Sequence, residues 1–100
     1  MTEQQWNDLQ SRLPVGSPVI GTVVRREAFG VFVKLDLSLG LEHTALLEVI
    51  AFRSAAKGRM HFPDDYPNVE DRIEARIAYY STEIGKIRLT QLDNDPLMGR

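Results

Sequence analysis

The run Gly21-Thr22-Val23-Val24-Arg25-Arg26-Glu27-Ala28-Phe29-Gly30-Val31-Phe32-Val33-Lys34-Leu35 constrains this chain more than any other stretch. It reads as two strands joined by a tight bend, and it carries two phenylalanines that strand alternation does not bury. With Val31, Val33 and Leu35 facing a core, a period of two sends Phe32 and Lys34 to the opposite, solvated face. Phe29 lies three residues before Phe32 at the bend, where Gly30 permits a backbone path that a side chain would obstruct. Two rings side by side next to a cation suit single-stranded nucleic acid, whose bases need π-faces and whose phosphates need positive charge.

The same residues carry a resemblance. The run from Gly16 through Val33, with Gly-x-Val followed by Phe-Gly-x-Phe-Val, is similar to the start of the ribosomal S1-type RNA-binding repeat, a five-stranded OB-fold barrel. The segment Gly85-Lys86-Ile87-Arg88-Leu89-Thr90 resembles that family's last strand, usually written gly-arg-ile-x-leu-ser. Together with the strands between them, the two motifs cover residues 15–91, one whole repeat by domain size. The resemblance implies an all-β, five-stranded antiparallel OB-fold barrel that binds single-stranded RNA.

Composition bounds the rest. One hundred residues with 43% hydrophobic content bury one modest core, and no stretch approaches the length needed to span a bilayer. The absence of cysteine excludes disulfides and thiolate metal sites. The polar start Met1-Thr2-Glu3-Gln4 has no apolar core after it, so a cytoplasmic address is expected. The net charge of −2 supplies no global attraction for a polyanion, so RNA affinity has to come from local charge.

Before the barrel, residues 2–12 read as a short helix. Thr2 is an N-cap candidate with Gln5 three positions later, Trp6, Leu9 and Leu13 form one apolar stripe, and Pro14 ends it. A helix this short is marginal alone and is expected to dock on the barrel, with Trp6 as packing material. Alternation places strands at residues 19–26, 31–36, 46–49, 72–80 and 86–91, with Val23, Val33, Leu47, Ile77 and Leu89 inside. In the fourth strand Ile73, Ala75, Ile77 and Tyr79 share the inner face, and Arg72, Glu74, Arg76 and Tyr80 the outer; in the fifth, Lys86, Arg88 and Thr90 point out. The expected organisation is a docked helix over residues 1–14, a barrel over 15–92 and a flexible tail over 93–100.

The third strand admits two registers. The family places gly-leu-val-his-ile-ser here, with the histidine on the nucleic-acid face. Matching residues 40–45 keeps that histidine as His43 but sends Glu42 and Thr44 toward the core. Matching residues 45–50 buries Leu47 and Val49 and puts Glu48 at the histidine position. Burial of apolar groups favours the second. A carboxylate then stands on the RNA face, and three consequences are open: weak RNA binding, reading of a base through an acceptor, or loss of RNA binding. The family's aspartate at the end of strand four is absent, with Tyr80 and Ser81 nearby. Its arginine opening strand five corresponds to Lys86, and Arg26 sits where an apolar residue is usual. Tyr80 is either a further ring for a base or cross-strand packing.

Residues 51–68 form a long connection in which Arg53, Lys57, Arg59 and His61 precede any acid, a phosphate-contact candidate whose alternative is a solvated loop. Asp64 and Asp65, flanked by Pro63 and Pro67, read as turn residues. His43 and His61, both in expected loops, have no nucleophile or zinc context, and no glycine-rich phosphate loop occurs, so an enzyme is not expected and no cofactor is implied. The RNA-binding candidates are Phe29, Phe32, Lys34, Glu48, Tyr80, Lys86, Arg88, Arg53, Lys57 and Arg59. Two functions of different kind fit: a stand-alone module binding single-stranded RNA weakly and with little sequence preference, or a protein-interaction module on the same fold that has lost RNA binding. Neither a membrane nor a small-molecule substrate is expected as partner.

Overall fold

A computed structural model describes residues 2–36, 43–53, 61–93, 95 and 98–99. The chain runs through α1 (Glu3–Arg12), β1 (Pro18–Glu27), β2 (Gly30–Leu35), β3 (His43–Glu48), a 3-10 turn (Val49–Ala51), β4 (Arg72–Tyr80) and β5 (Ile87–Thr90). The strands close into a barrel in the order β1-β2-β3-β5-β4. Four seams are antiparallel and the β3–β5 seam is parallel, which corrects the expectation of a wholly antiparallel barrel. The reason is arithmetic: strand direction cannot alternate all the way round a closed ring with an odd number of strands, so at least one seam must be parallel.

The core forms where apolar positions recur at a period of two. Val23, Val33, Leu47, Ile77 and Leu89 are all buried, joined by Val31, Ala45 and Ile87. The helix closes onto this core. Thr2 and Gln5 make a reciprocal capping box, and the stripe predicted for α1 buries Trp6 and Leu9. Trp6 meets the edge of Tyr80 at 5.3 Å, and the Tyr80 hydroxyl donates to the Leu13 carbonyl. That burial pushes the Tyr80 phenol up to about 12. Among the described residues no helix is long and apolar enough to cross a membrane.

Two strands break their alternation. In β1, Val23 pairs with Val33 but Arg25 pairs with Phe32, so Val24 is the extra residue of a bulge and lies exposed. In β4, Ile77 pairs with Leu89 and Tyr79 with Arg88, and the bulge buries Ile77 and Ala78 in succession. This corrects the expected faces: Tyr79 pairs with Arg88 where Tyr80 was expected to share its face, and Tyr80 packs half-buried beneath the helix. Thr90 is likewise buried rather than outward, its Oγ1 accepting from the Leu92 N–H at 3.0 Å.

The third strand has the parity of the second register but not its limits. Ala45 and Leu47 face the core, and Leu46 and Glu48 the other side, while Val49 already belongs to the 3-10 turn and packs half-buried against the core. The strand starts at His43, paired with Leu35, so His43 is not in a loop; burial lowers its imidazole below the usual value. Glu42 lies outside the described residues.

The connection after β3 is more than a solvated loop. Phe52 and Tyr66 are buried in the core, their rings 5.0 Å apart, and Phe62 meets Tyr66 at 5.1 Å. Asp65 accepts from the His61 N–H at 2.8 Å, the closing bond of a turn. At the other end, the Gly99 N–H donates to the Ala78 carbonyl at 2.8 Å, so this part of the segment expected as a flexible tail is bonded at the β4 bulge. Truncating Val33, wholly enclosed, to Ala is expected to destabilise the fold by on the order of 1 to 3 kcal/mol in chemical denaturation.

Candidate nucleic-acid interface

The β1–β2 hairpin builds one end of the candidate site. Its strands pair to Glu27 and Gly30, leaving Ala28 and Phe29 as the turn. The backbone of that turn is held from both sides: the Val49 N–H donates to the Phe29 carbonyl at 2.9 Å, and the Tyr66 hydroxyl donates to the Ala28 carbonyl. The Phe29 ring is 50% exposed on this fixed backbone. An apolar ring presented on a pinned turn loses little backbone freedom when something stacks on it.

Phe32 stands beside it, the ring centroids 6.0 Å apart and the planes at 88°. The rings therefore meet edge to face and do not form two parallel shelves. The Arg25 guanidinium lies over the Phe32 ring at 4.5 Å, a cation–π contact, and its Nε is 3.1 Å from Glu27. A guanidinium plane is itself a surface on which a base stacks. Arg25 is the residue that strict alternation misses, since counting by two from Val23 places it inside. The signal was the Val23-Val24 pair followed by two arginines: both valines cannot be buried in one strand without a shift.

From Phe32 the surface continues across β3 to β5. Phe32 pairs with Leu46, and Leu46 with Arg88. Lys34 is exposed two residues beyond Phe32, between Thr22 and Thr44. Glu48 pairs with Gly30 and stands 3.5 Å from the Arg88 Nε, both side chains partly exposed. The structure thus brings together Phe29, Phe32, Lys34, Glu48 and Arg88 of the expected set and adds Arg25, Leu46 and Tyr79. Among the described residues, this surface carries the cations Arg25, Lys34 and Arg88 and the carboxylates Glu27 and Glu48.

The remaining candidates go elsewhere. Lys86 precedes β5 and pairs with Glu83 at 2.6 Å, an exposed contact that holds the Glu83 carboxyl below its usual range. Arg53 lines a different depression, between β1 and β4, with Arg12, Arg72 and Arg76. There Arg72 pairs with Asp36 at 2.7 Å, and Arg76 donates to the Leu92 and Asp93 carbonyls. Tyr80 is under the helix, as described. Lys57 and Arg59 lie outside the described residues.

A closed five-stranded barrel with this strand order and an aromatic, cationic sheet face defines the chain as an OB-type barrel. Two solved structures share it: the alpha subunit of aIF2 from Pyrococcus abyssi, with a TM-score of 0.60 and 22% identity over 75% of this chain and 27% of that one, and GSP13 from Bacillus subtilis, with a TM-score of 0.58 and 22% identity over 84% and 66%. In sequence, the chain is 26% identical over 91 residues to the small ribosomal subunit protein bS1 of Chlamydia muridarum, covering 90% of this chain and 15% of that protein. In fold and in sequence pattern the chain is similar to S1-type OB-fold domains. It is also 40% identical over 91 residues to 4-hydroxy-3-methylbut-2-enyl diphosphate reductase of Clostridium acetobutylicum, covering 90% of this chain. The chain spans only 13% to 15% of the length of these curated relatives. No family model matches.

Proposed function

We propose that this protein is a module that binds single-stranded RNA on the face built by the β1–β2 hairpin, β3 and β5. The observation that carries the reading is the exposed Phe29 ring beside the Phe32–Arg25 stack, on a turn whose backbone is bonded on both sides. Rings and guanidinium planes accept any base, so the expected binding is tolerant of sequence. The name of the bS1 relative, a ribosomal protein, agrees with an RNA ligand. The reductase activity belongs to the clostridial relatives' names, and a match to 13% of such a protein does not bring it here; the reading is of a binder, not an enzyme. A cytoplasmic setting is part of the reading.

Affinity should be low. Arg25 and Arg88 each have a carboxylate beside them and the net charge is −2, so the counterion-release contribution is small. Dissociation constants on the order of micromolar or weaker at physiological salt are expected, by analogy with non-specific electrostatic binding.

The test is titration of a labelled single-stranded RNA at two salt concentrations. Phe29→Ala should weaken binding by about 1 to 3 kcal/mol with an unchanged salt slope, because stacking releases no counterions. Lys34→Ala should weaken it and reduce the slope by about one. If wild type shows no saturable binding at low salt, the RNA reading fails and the protein-interaction alternative replaces it.

A further inference from the structure

Beside Arg88 the face drops into a groove of roughly 360 Å³, lined by Glu48, Ile50, Ala78, Tyr79, Arg88 and Leu92 among others. That is at the small end of the range of ligand pockets, about 300 to 1,000 Å³. The walls are largely apolar, and the polar side chains among them are Glu48, Tyr79, Arg88 and Asp95. The groove exists because of two sequence departures already described: the β4 bulge brings Tyr79 opposite Arg88, and the chain leaves β3 at Glu48 into a 3-10 turn whose Ile50 is 61% exposed.

We infer that this groove takes a guanine base of the bound strand, with Glu48 as its reader. This deepens the RNA reading and rests on it. The Glu48 side chain is an acceptor with two oxygens, and the bases differ in what they offer such a group. Guanine presents two adjacent donors, N1–H and the N2 amine, which match both oxygens, with O6 next to them as an acceptor for a guanidinium. Adenine and cytosine each set one amine beside a ring nitrogen lone pair, which would face a carboxylate oxygen. Uracil sets its one N–H between two carbonyl oxygens. Only guanine meets the Glu48–Arg88 pair without placing acceptor against acceptor.

The geometry leaves both groups available. Their separation of 3.5 Å exceeds a full hydrogen bond, and their side chains are 36% and 26% exposed, so a base edge has access to them. Partial burial also makes a charge-assisted pair stronger than it would be in open water. The same carboxylate that repels phosphate thereby contributes selectivity instead of general affinity.

The experiment compares three labelled RNA pentamers by fluorescence anisotropy at low salt: all adenine, adenine with one central guanine, and adenine with one central inosine, which lacks the N2 amine. A single guanine avoids self-association of guanine runs. The wild type is expected to bind the guanine probe about tenfold more tightly than the adenine probe, a typical worth for one bidentate base contact, with inosine between them. Glu48→Gln replaces one acceptor by a donor and is expected to abolish the difference between the guanine and adenine probes. Saturable binding of all three with equal affinity overturns the guanine assignment and leaves the RNA reading standing. A guanine preference that survives in Glu48→Gln overturns the role of Glu48. Absence of binding to every probe overturns both readings.

Discussion

Replacing Gly30 by Ala is expected to remove about 3 kcal/mol or more of folding stability, a large share of what a domain of this size has. Gly30 opens β2 at the point where the hairpin turns, and its Cα faces the end of β3. A methyl group there would sit 2.4 Å from the Leu47 carbonyl oxygen and 2.8 Å from the Glu48 Cα. Both are backbone atoms, held by the β2–β3 ladder and followed at once by the 3-10 turn, so neither moves aside as a side-chain tip would. Relief requires opening the seam between the two strands that carry Phe32, Leu46 and Glu48. The comparison is Gly85→Ala: the added carbon meets nothing within 4 Å, but φ is +89°, so the cost is backbone strain alone, on the order of 1 kcal/mol. Denaturant midpoints of the two variants check this. Equal losses would mean that the close approach of β2 to β3 is absent in solution.

What the sequence made legible was whatever repeats. The capping box at Thr2 and Gln5, the α1 stripe and the inward residues of five strands follow from periods of 3.6 and 2, and each period is visible within one element. The parallel β3–β5 seam was implied by the strand count, yet no residue pattern announces it. The bulge at Ala78 was hidden, and the one at Val24 was marked only by the Val23-Val24 pair, because one extra residue reverses every later face without altering composition. That reversal put Arg25 on the candidate face unforeseen and exchanged Tyr80 for Tyr79. Phe52 and Tyr66 lie in a segment with no period, and what buries them is packing against distant strands, which local sequence does not encode. The candidate face was legible where one hairpin supplies it, at Phe29, Phe32 and Lys34, and less so where several strands converge.

Truncating Tyr66 to Ala is expected to destabilise the protein by about 3 to 5 kcal/mol, the range for removing a buried aromatic side chain. Tyr66 is 7% exposed, and its ring meets both Phe52 and Phe62 edge to face, so its loss leaves a cavity between the long connection and the barrel. The milder Tyr66→Phe variant separates packing from the hydroxyl. It keeps the ring contacts and removes only the donor to the Ala28 carbonyl, a loss of about 1 kcal/mol for one hydrogen bond. Its second effect falls on the hairpin turn. With that bond gone, the turn carrying Phe29 is held from one side only, through the Val49 N–H, and stacking on Phe29 must then order backbone that the wild type holds in place. Denaturation should therefore show a large loss for Ala and a small one for Phe. RNA titration of the well-folded Phe variant should show weaker binding than wild type at an unchanged salt slope. Wild-type affinity in Tyr66→Phe would mean that the Ala28 bond stabilises the fold without preparing the Phe29 ring for a base.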